Sequence, residues 1–524
     1  MHENRETSEI PAVKPGGRSA GEGDSRTARA DVSEESHSGI LPMNCSNNDK
    51  TSSAESREGR PLIKENAGQP NTCPTQSGEV SVSQGLTGVR KAAREPSSKE
   101  RKFTALLHHL TVDLLRESFY SLKRKAAPGV DGVRWQEYET GLEDRLKDLH
   151  GRVHRGAYRA KPSRRVYIEK ADGRQRPLGI AALEDKIVQQ AVVRILNQIY
   201  EEDFLGFSYG FRPGRSQHDA LDALSYALLK KKVNYILDAD VRSFFDNLDK
   251  GWMIRFIEHR VADPRILRLI QKWLKAGVME EGKWSEPQTG TPQGSVISPL
   301  LANVYLHYVF DLWVQHWRKH RATGEVIVVR YADDSVLGFQ YRADAERFLQ
   351  EWKERLRKFE LELHPDKTRL IEFGRFAAAS RKQRGADKPE TFNFLGFTHI
   401  CGQSRKNGKF LVLRKTVRKR LLAKLKELKE ELRRRWHQPV AELGKWLRSV
   451  VQGYFNYHAV PGNLASLNSF RQEVSKRWFR ALRRRGQKHP MTWAQLGPLI
   501  KRWLPLPKPL HPYPHLRFDA KYLR

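Results

Sequence analysis

Apolar residues recur along the chain with two different periods. Across residues 106–119 and 187–199, leucine, isoleucine and alanine are spaced three or four apart, which predicts amphipathic helices. Two β-branched runs, Val326–Arg330 and Ser335–Phe339, flank a short polar segment and predict a tight hairpin. Strand and helix patterns alternate to about residue 400. This alternation predicts an α+β fold.

Both ends of the chain depart from the alternation. Residues 1–95 are rich in Ser, Gly, Glu, Asn and Pro and contain no aromatic residue, so we expect them to be disordered. Beyond residue 400, apolar residues recur every three or four positions with Lys and Arg between them, which predicts basic helices over 401–490. Residues 491–524 are expected to form a short basic extension, either a DNA-binding segment or an end cap for the helices.

Composition and charge narrow the function. The 524 residues carry a formal net charge of +33, with a pI of about 10.1, which favours a nucleic-acid partner. A basic ribosomal or chromatin protein could be as positive, but 39% hydrophobic content and 12 Trp predict a packed core of two or three domains. Three scattered cysteines do not form a disulfide framework or a four-thiolate zinc site. No segment has membrane-spanning length, so we expect a cytoplasmic protein without a membrane partner.

Carboxylates occur at the tip of the predicted hairpin and at the end of another predicted strand. Asp333 and Asp334 lie in the sequence Tyr-Ala-Asp-Asp between the two β-branched runs, and Asp240 lies near the end of the strand pattern of residues 233–241. Strand-borne acids of like charge need a cation between them, and oxygen ligands suit Mg²⁺. We therefore expect Asp240, Asp333 and Asp334 to hold two Mg²⁺ ions for phosphoryl transfer.

Further segments stand in a characteristic order along the chain. They are Ala127–Val133, Tyr167–Lys170, Arg176–Ile180, Ser208–Ser216, Gly290–Leu300, His364–Thr368 and Phe394–Phe397. With the Tyr-Ala-Asp-Asp hairpin, these segments resemble group II intron reverse transcriptases/maturases, collinearly over roughly residues 100–480. Gly453–His458 also resembles the thumb, or maturase, signature of that family. We do not expect this helical block in retron or diversity-generating enzymes.

The resemblance implies a domain organisation. It is that of a right-hand polymerase, with an N-terminal extension of the fingers over 96–150 and the fingers and palm of a reverse transcriptase over 151–400. An all-α thumb/maturase domain would follow over 401–490. Many relatives end in a zinc endonuclease module with Cys pairs. No Cys follows Cys401 here, so we expect no such module.

The resemblance also assigns roles to single residues. Phe245 stands where the family places the aromatic that crowds the sugar 2′ position, with ordinary core packing as the alternative. Lys367 stands where a lysine could donate a proton to the leaving pyrophosphate, with a solvated surface lysine as the alternative. Gln293 and Gly294 match a pair that lies near the incoming nucleotide and the primer-template.

Three other interpretations rest on local pattern. Lys170 and Arg176 lie on opposite arms of an apparent hairpin and could contact a triphosphate, unless the hairpin is merely solvated. Asp246 is interpreted as the N-cap of a helix starting near Ser243. The Arg433–Arg435 run favours an RNA-binding face over a solvated one.

Taken with these observations, the resemblance implies an RNA-directed DNA polymerase that copies group II intron RNA into DNA and assists intron splicing. Its expected partners are intron RNA, a primer-template of RNA and DNA, target DNA and deoxynucleoside triphosphates. A homodimer is left open. The alternatives are a splicing-only RNA-binding maturase and a retron- or defence-type reverse transcriptase. The acidic triad argues against the first, because binding alone needs no such carboxylates.

Overall fold

A computed structural model of the chain describes residues 84–95, 101–169, 175–280, 282–285, 290, 294–404, 406–485 and 491–521. All of them belong to one of two compact units, residues 53–524. The helices are α1 Gln84–Arg94, α2 Val112–Ser121, α3 Trp135–Glu139, α4 Leu142–His154, α5 Leu183–Asp203, α6 Gln217–Lys230, α7 Lys250–Glu258, α8 Pro264–Lys275, α9 Ser298–Leu306, α10 Leu312–His320, α11 Arg342–Arg357, α12 Ala377–Gln383, α13 Arg418–Arg434, α14 Val440–His458, α15 Leu464–Arg483, α16 Trp493–Trp503 and α17 Pro514–Lys521. The strands are β1 Ser163–Glu169, β2 Gln175–Ile180, β3 Tyr235–Asp240, β4 Val278–Glu280, β5 Lys283–Ser285, β6 Val326–Tyr331, β7 Asp334–Phe339, β8 Arg369–Glu372, β9 Phe392–Phe394, β10 Phe397–Gln403 and β11 Phe410–Thr416. A 3₁₀ turn covers Leu107–His109, and a π-helical segment covers His307–Asp311.

The central sheet is antiparallel, with strand order β6-β7-β3-β8, and both of its faces are covered. Leu237 and Leu337 point into a large core shared with α5 and α9, whereas Ile236 and Val336 point into a second core shared with α6. Burial on both faces explains the nearly continuous apolar runs of β6 and β7. The predicted β6–β7 hairpin and the α+β class are confirmed.

Two further sheets flank the central one along the chain. The N-terminal sheet has the order β2-β1-β4-β5, and the predicted hairpin appears as the antiparallel β1–β2 pair. The C-terminal sheet has the order β11-β10-β9. Its strand β11 is tied to α6 by Arg414, whose Nη1 donates to the Asp222 carboxylate at 2.7 Å in a buried ion pair.

The C-terminal helical bundle comprises α13, α14, α15 and α16 around a core of its own. Its first helix begins at Arg418 rather than near residue 401, because residues 397–416 form β10 and β11. Phe410, Val412 and Arg414 follow the period of two that a strand requires. The abundance of basic residues in this region does not distinguish a strand from a helix.

A short N-terminal helix contradicts the prediction of disorder through residue 95. Helix α1 buries Leu86, Val89 and Ala93, a set spaced along one helical face. On its polar side, Arg90 and Arg94 contact the Glu202 carboxylate of α5 at 2.9 and 3.2 Å. The buried apolar face and the two ion pairs both stabilise the helix. The composition of the segment indicated neither of them. The remainder of the predicted disordered segment lies outside the described residues.

The C-terminal extension folds back onto the rest of the chain. Helix α16 packs on α14 and α15, after which the backbone N–H of Leu510 donates to the Ala459 carbonyl at 2.9 Å. Helix α17 then packs on α6, where Arg517 contacts Asp222 at 3.1 Å. The extension therefore caps the helical bundle and also joins it to α6. Among the described helices, none is both long enough and apolar enough to cross a bilayer.

Candidate active site

A strained two-residue turn carries the acidic hairpin tip. Tyr331 and Asp334 are paired across β6 and β7, so Ala332 and Asp333 form the turn. Ala332 has φ of +56°, a conformation that costs energy for a residue with a side chain. Gly210 passes so close that a Cβ there would lie 2.2 Å from the Ala332 nitrogen. Only glycine can therefore occupy position 210 beside this turn.

A buried arginine lies beneath the turn. Arg330 is fully buried, and its guanidinium forms a bidentate ion pair with the equally buried Asp311, with contacts of 2.7 and 2.5 Å. The same guanidinium donates to the Ala332 carbonyl at 3.0 Å, to Asn303 Oδ1 at 3.1 Å and to Ser208 Oγ at 2.7 Å. Asp311 ends the π-helical segment, a type of distortion that is frequent at functional sites. The network fixes the turn from below.

The tip meets a carboxylate from the neighbouring strand. Asp240, the last residue of β3, is paired with Asp334 of β7, and Asp238 lies two residues earlier on the same face. Partial desolvation and the charges of Asp333, Asp240 and Asp238 together raise the pKa of Asp334 to about 7, against a lowering by Arg420. Asp334 keeps more than a third of its surface accessible, so its desolvation is incomplete and we regard like-charge repulsion as the decisive cause.

Two cations lie against this acidic edge. The Lys367 ammonium forms an ion pair with Asp240, and Arg369 of β8 contacts Asp238 at 3.5 Å. Burial raises the pKa of Asp238 to about 6 despite this arginine. Within the described residues, no three His, Cys, Asp or Glu side chains converge closely enough to enclose a metal ion. The oxygen donors and their excess negative charge nevertheless fit a divalent cation.

The segment after β3 forms turns, not the helix expected near Ser243. Helix α7 begins at Lys250, and its N-cap is Asp249, whose carboxylate accepts from the Trp252 N–H at 2.6 Å. The interpretation of Asp246 as the cap is therefore wrong. Ser243 adopts a φ of +46°, which interrupts any helical run at this point.

Phe245 lies on these turns, five residues after Asp240. Its ring makes an edge contact with buried Phe244, with 5.4 Å between centroids. It is only partly buried against the large core. The backbone carbonyl of Phe245 would lie 2.8 Å from a Cβ on Gly290. Phe245 thus takes part in core packing and still keeps part of its side chain accessible.

The structure describes only some of the residues that the sequence predicts to contact the nucleotide. Arg176 lies in β2, where its backbone is paired with Ile168, but Lys170 and Gln293 lie outside the described residues. Gly294 has φ of +113°, and a Cβ there would lie 2.8 Å from the Gly179 carbonyl of β2. The backbone at Gly294 therefore approaches the N-terminal sheet closely.

The arginine run lies at the far end of α13 from the acidic edge. Arg434 and Arg435 contact Glu431 at 2.8 and 3.3 Å, and the Arg435 guanidinium lies 4.9 Å from the Trp446 ring centroid. Arg433 is exposed. Thirteen residues of helix, about 20 Å, separate Arg433 from Arg420, which acts on Asp334. The three arginines do not belong to the acidic site.

Sequence reasoning missed Arg420, Arg330 and Asp238 as contributors to this site. Arg420, in the first turn of α13, would lie 2.9 Å from a Cβ on Gly396, which places it beside the Phe394–Phe397 segment. The Tyr457 hydroxyl donates to the Leu395 carbonyl at 2.7 Å. Two segments singled out by motif therefore meet here. The two motifs were the signal available in the sequence, but neither of them contains Arg420.

The chain is similar in sequence to several known proteins. Residues 168–399 match the reverse transcriptase (RNA-dependent DNA polymerase) family. The chain is 33% identical over 313 residues to Protein YkfC of Escherichia coli, a match that covers 53% of this chain and 81% of that protein. It is 35% identical over 207 residues to the group II intron-encoded protein LtrA of Lactococcus lactis, covering 39% of this chain and 34% of that protein.

The chain belongs to the group II intron reverse transcriptase/maturase family. A putative COX1/OXI3 intron 1 protein of Saccharomyces cerevisiae is also similar, with 29% identity over 207 residues, which covers 39% of this chain and 24% of that protein. Family membership makes the central region a reverse transcriptase domain, and such domains use divalent metal ions. The chain aligns with only about a third of the length of LtrA.

Proposed function

We propose that this protein is a group II intron-encoded RNA-directed DNA polymerase that copies intron RNA into DNA and assists splicing of the parent intron. The observation that carries the proposal is the register of β3 and β7, which sets Asp240 beside Asp334 next to the strained turn at Asp333. In a right-hand polymerase, the central sheet would be the palm, the N-terminal sheet would belong to the fingers, and the helical bundle would be the thumb.

The chemistry would be nucleotidyl transfer at the acidic edge. Asp240, Asp333 and Asp334 would hold two Mg²⁺ ions, which when bound activate an attacking hydroxyl and neutralise charge on the departing pyrophosphate. Lys367, whose ammonium contacts Asp240, would donate a proton to that pyrophosphate. Phe245 would crowd the 2′ position of the sugar. Lys170, Arg176, Gln293 and Gly294 would bind the nucleotide and its template, with target DNA as a further partner.

The proposal predicts that Asp333→Ala and Asp240→Ala abolish DNA synthesis on a primed RNA template. Each removes an oxygen ligand at the reacting centre, and we expect extension to fall by at least about 100-fold. RNA binding should persist, because it rests on Lys and Arg spread over the chain. Primer extension and filter binding of the same preparations measure the two quantities.

The matched control is Asp387→Ala, which removes an exposed carboxylate between α12 and β9. It should extend primers like the wild type. Near-normal extension by Asp333→Ala would refute the metal-site proposal. If the wild-type protein assisted splicing but showed no detectable polymerase activity, the splicing-only maturase would be favoured instead.

A further inference from the structure

An open groove with basic walls lies at the N-terminal sheet. None of the residues that line it belongs to the acidic site. It runs between the segment that leads into β1, the last turns of α8, and the β4–β5 hairpin, and its volume is about 540 Å³. Four basic residues line it, with no acidic residue among the lining: Arg159, Arg268, Lys272 and Lys275. We call it the Trp284 groove after the tryptophan at its mouth.

Among the described residues, no carboxylate forms an ion pair with the basic side chains that line the groove. Lys272 donates to two backbone carbonyls, those of Gly156 and Tyr158, at 3.1 and 2.6 Å. In the part of the chain that the structure describes, Arg159, Arg268 and Lys275 lie within 4 Å of no carboxylate. A concave surface of one sign concentrates ligands of the opposite charge. The ligand should therefore be an anion.

Trp284 adds an aromatic surface to this charge. Its side chain is 54% exposed, yet its indole Nε1 donates to the Ala276 carbonyl at 3.2 Å. A Cβ on Gly277, which has φ of +74°, would lie 2.5 Å from that nitrogen, so glycine is needed for the indole to lie there. The ring is exposed but held in place, which lowers the entropy that a ligand must overcome on stacking against it.

We propose that the Trp284 groove binds a single-stranded segment of RNA, with one base stacked on the indole and the adjacent phosphates contacting the basic walls. A held aromatic ring amid unpaired cations is how single-stranded nucleic acids are bound without sequence preference. A duplex offers no free base face, and an acidic protein segment would make no use of the indole face. The proposal rests on the proposed function only in taking RNA as the ligand, and not on the metal site.

The test uses the full chain and a short, labelled, single-stranded oligoribonucleotide of mixed sequence. Trp284→Ala should weaken its binding about fivefold or more, because stacking contributes about 1–3 kcal/mol per base. Trp284→Phe should retain most of the affinity. The double variant Arg268→Glu/Lys275→Glu should flatten the log-log salt dependence by about one unit or more. The matched control is Lys353→Glu/Arg357→Glu on the exposed side of α11, which should change the salt dependence less.

Ultraviolet cross-linking locates the oligonucleotide independently of affinity, which matters in a chain with many other basic residues. The wild type should yield a cross-linked peptide containing Trp284. Absence of that cross-link, or equal weakening by Trp284→Ala and Trp284→Phe, would overturn the proposal. If Trp284→Ala weakened the binding of a duplex probe as much as that of the single-stranded probe, base stacking would play no part. That result would also overturn the proposal.

The metal-site proposal and the groove proposal can fail separately. Asp333→Ala keeps the groove and should still cross-link at Trp284, whereas Trp284→Ala should still extend a saturating, pre-annealed primer-template. Loss of extension in both variants would mean that the groove serves synthesis directly and would contradict a separate site for single-stranded RNA.

Discussion

At the scale of the residue, Arg330 is the side chain that connects the hairpin tip to the interior. Its guanidinium bonds the Ala332 carbonyl of the strained turn, and its charge is balanced by Asp311 alone among the described carboxylates it contacts. Breaking a buried pair on one side is strongly destabilising, whereas replacing both partners by apolar residues of similar volume is often tolerated. Arg330 is therefore a positioning residue whose structural and functional roles can be separated.

We expect the double variant Arg330→Met/Asp311→Leu to lose less stability than either single variant, although Asn303 and Ser208 also lose a donor, and to extend primers about tenfold or more slowly. The apolar pair removes both buried charges, yet it cannot hold the Ala332 carbonyl, and small displacements at a reacting centre are costly. The Mg²⁺ concentration that gives half-maximal extension should also rise. Thermal unfolding and a magnesium titration measure these effects. Wild-type extension by a stable double variant would reduce the pair to a structural role.

Phe245 is a second residue whose two interpretations make different predictions. Phe245→Val removes much of the ring and should relax discrimination against ribonucleotides, because it opens room for a 2′ hydroxyl. The buried neighbour supplies the control, since Phe244→Leu changes the core packing but keeps the Phe245 side chain itself. Competitive incorporation of deoxyribo- and ribonucleotides gives the ratio. An unchanged ratio in Phe245→Val would leave core packing as its role.

At the scale of the element, the sequence predicted the strands and helices whose apolar period is long and regular. The β6–β7 hairpin and α5 are examples, because burial imposes the period directly. Prediction from the sequence failed for elements whose stabilising contacts are made with residues distant in sequence. Helix α1 depends on Glu202 and the core beside α5, and β11 depends on the Asp222 partner of Arg414. Such contacts leave no local periodic signal.

The C-terminal end of helix α13 carries the arginine run that the sequence predicts to bind RNA. Charge reversal at Arg433, Arg434 and Arg435 should weaken intron binding and protein-assisted splicing more than extension on a short generic primer-template. For every phosphate that is no longer bound, the salt dependence of binding should flatten by about 0.7 to 0.9 log-log units. The assays are splicing at near-physiological magnesium and primer extension with the same protein.

The control for this prediction is charge reversal at Lys353, Arg357 and Lys358, three exposed cations at the end of α11. Glu431 already neutralises part of the arginine run, so the larger share of the effect should come from Arg433. Equal loss of splicing and extension would make α13 an ordinary part of the polymerase. No loss of either would show that the arginines are only solvated.

At the scale of the whole molecule, the site is assembled from segments far apart in the chain. The sequence predicted Asp240, Asp333 and Asp334 because each ends a strand or lies in a turn with a recognisable pattern. It could not identify Arg420 or the return of the C-terminal extension to α6, because both depend on how the helical bundle packs against the central sheet. That junction contains His218 of α6, stacked on His511 with 3.8 Å between ring centroids.

The junction should make stability depend on pH. Burial, followed by the charges of His511, Arg517, Arg414 and His458, lowers the pKa of His218 to about 2, and burial lowers the pKa of His511 as well. Asp222 is the carboxylate that faces these groups, and it is already paired with Arg414 and Arg517. A histidine whose folded pKa is depressed contributes no penalty above its unfolded value of about 6.5, and it destabilises the fold as the pH falls below that value.

His218→Leu should therefore raise the unfolding temperature at pH 5 and leave it nearly unchanged at pH 8. Neither ring nitrogen of His218 has a hydrogen-bond partner within the described residues, so an apolar replacement loses no bond there. His515→Leu, at an exposed position of α17, is the matched control and should have no such pH-dependent effect. Thermal unfolding of the three proteins at both pH values measures the difference. A loss of stability in His218→Leu at both pH values would mean that the imidazole supports the junction, and that the joining of α17 to α6 depends on its polarity.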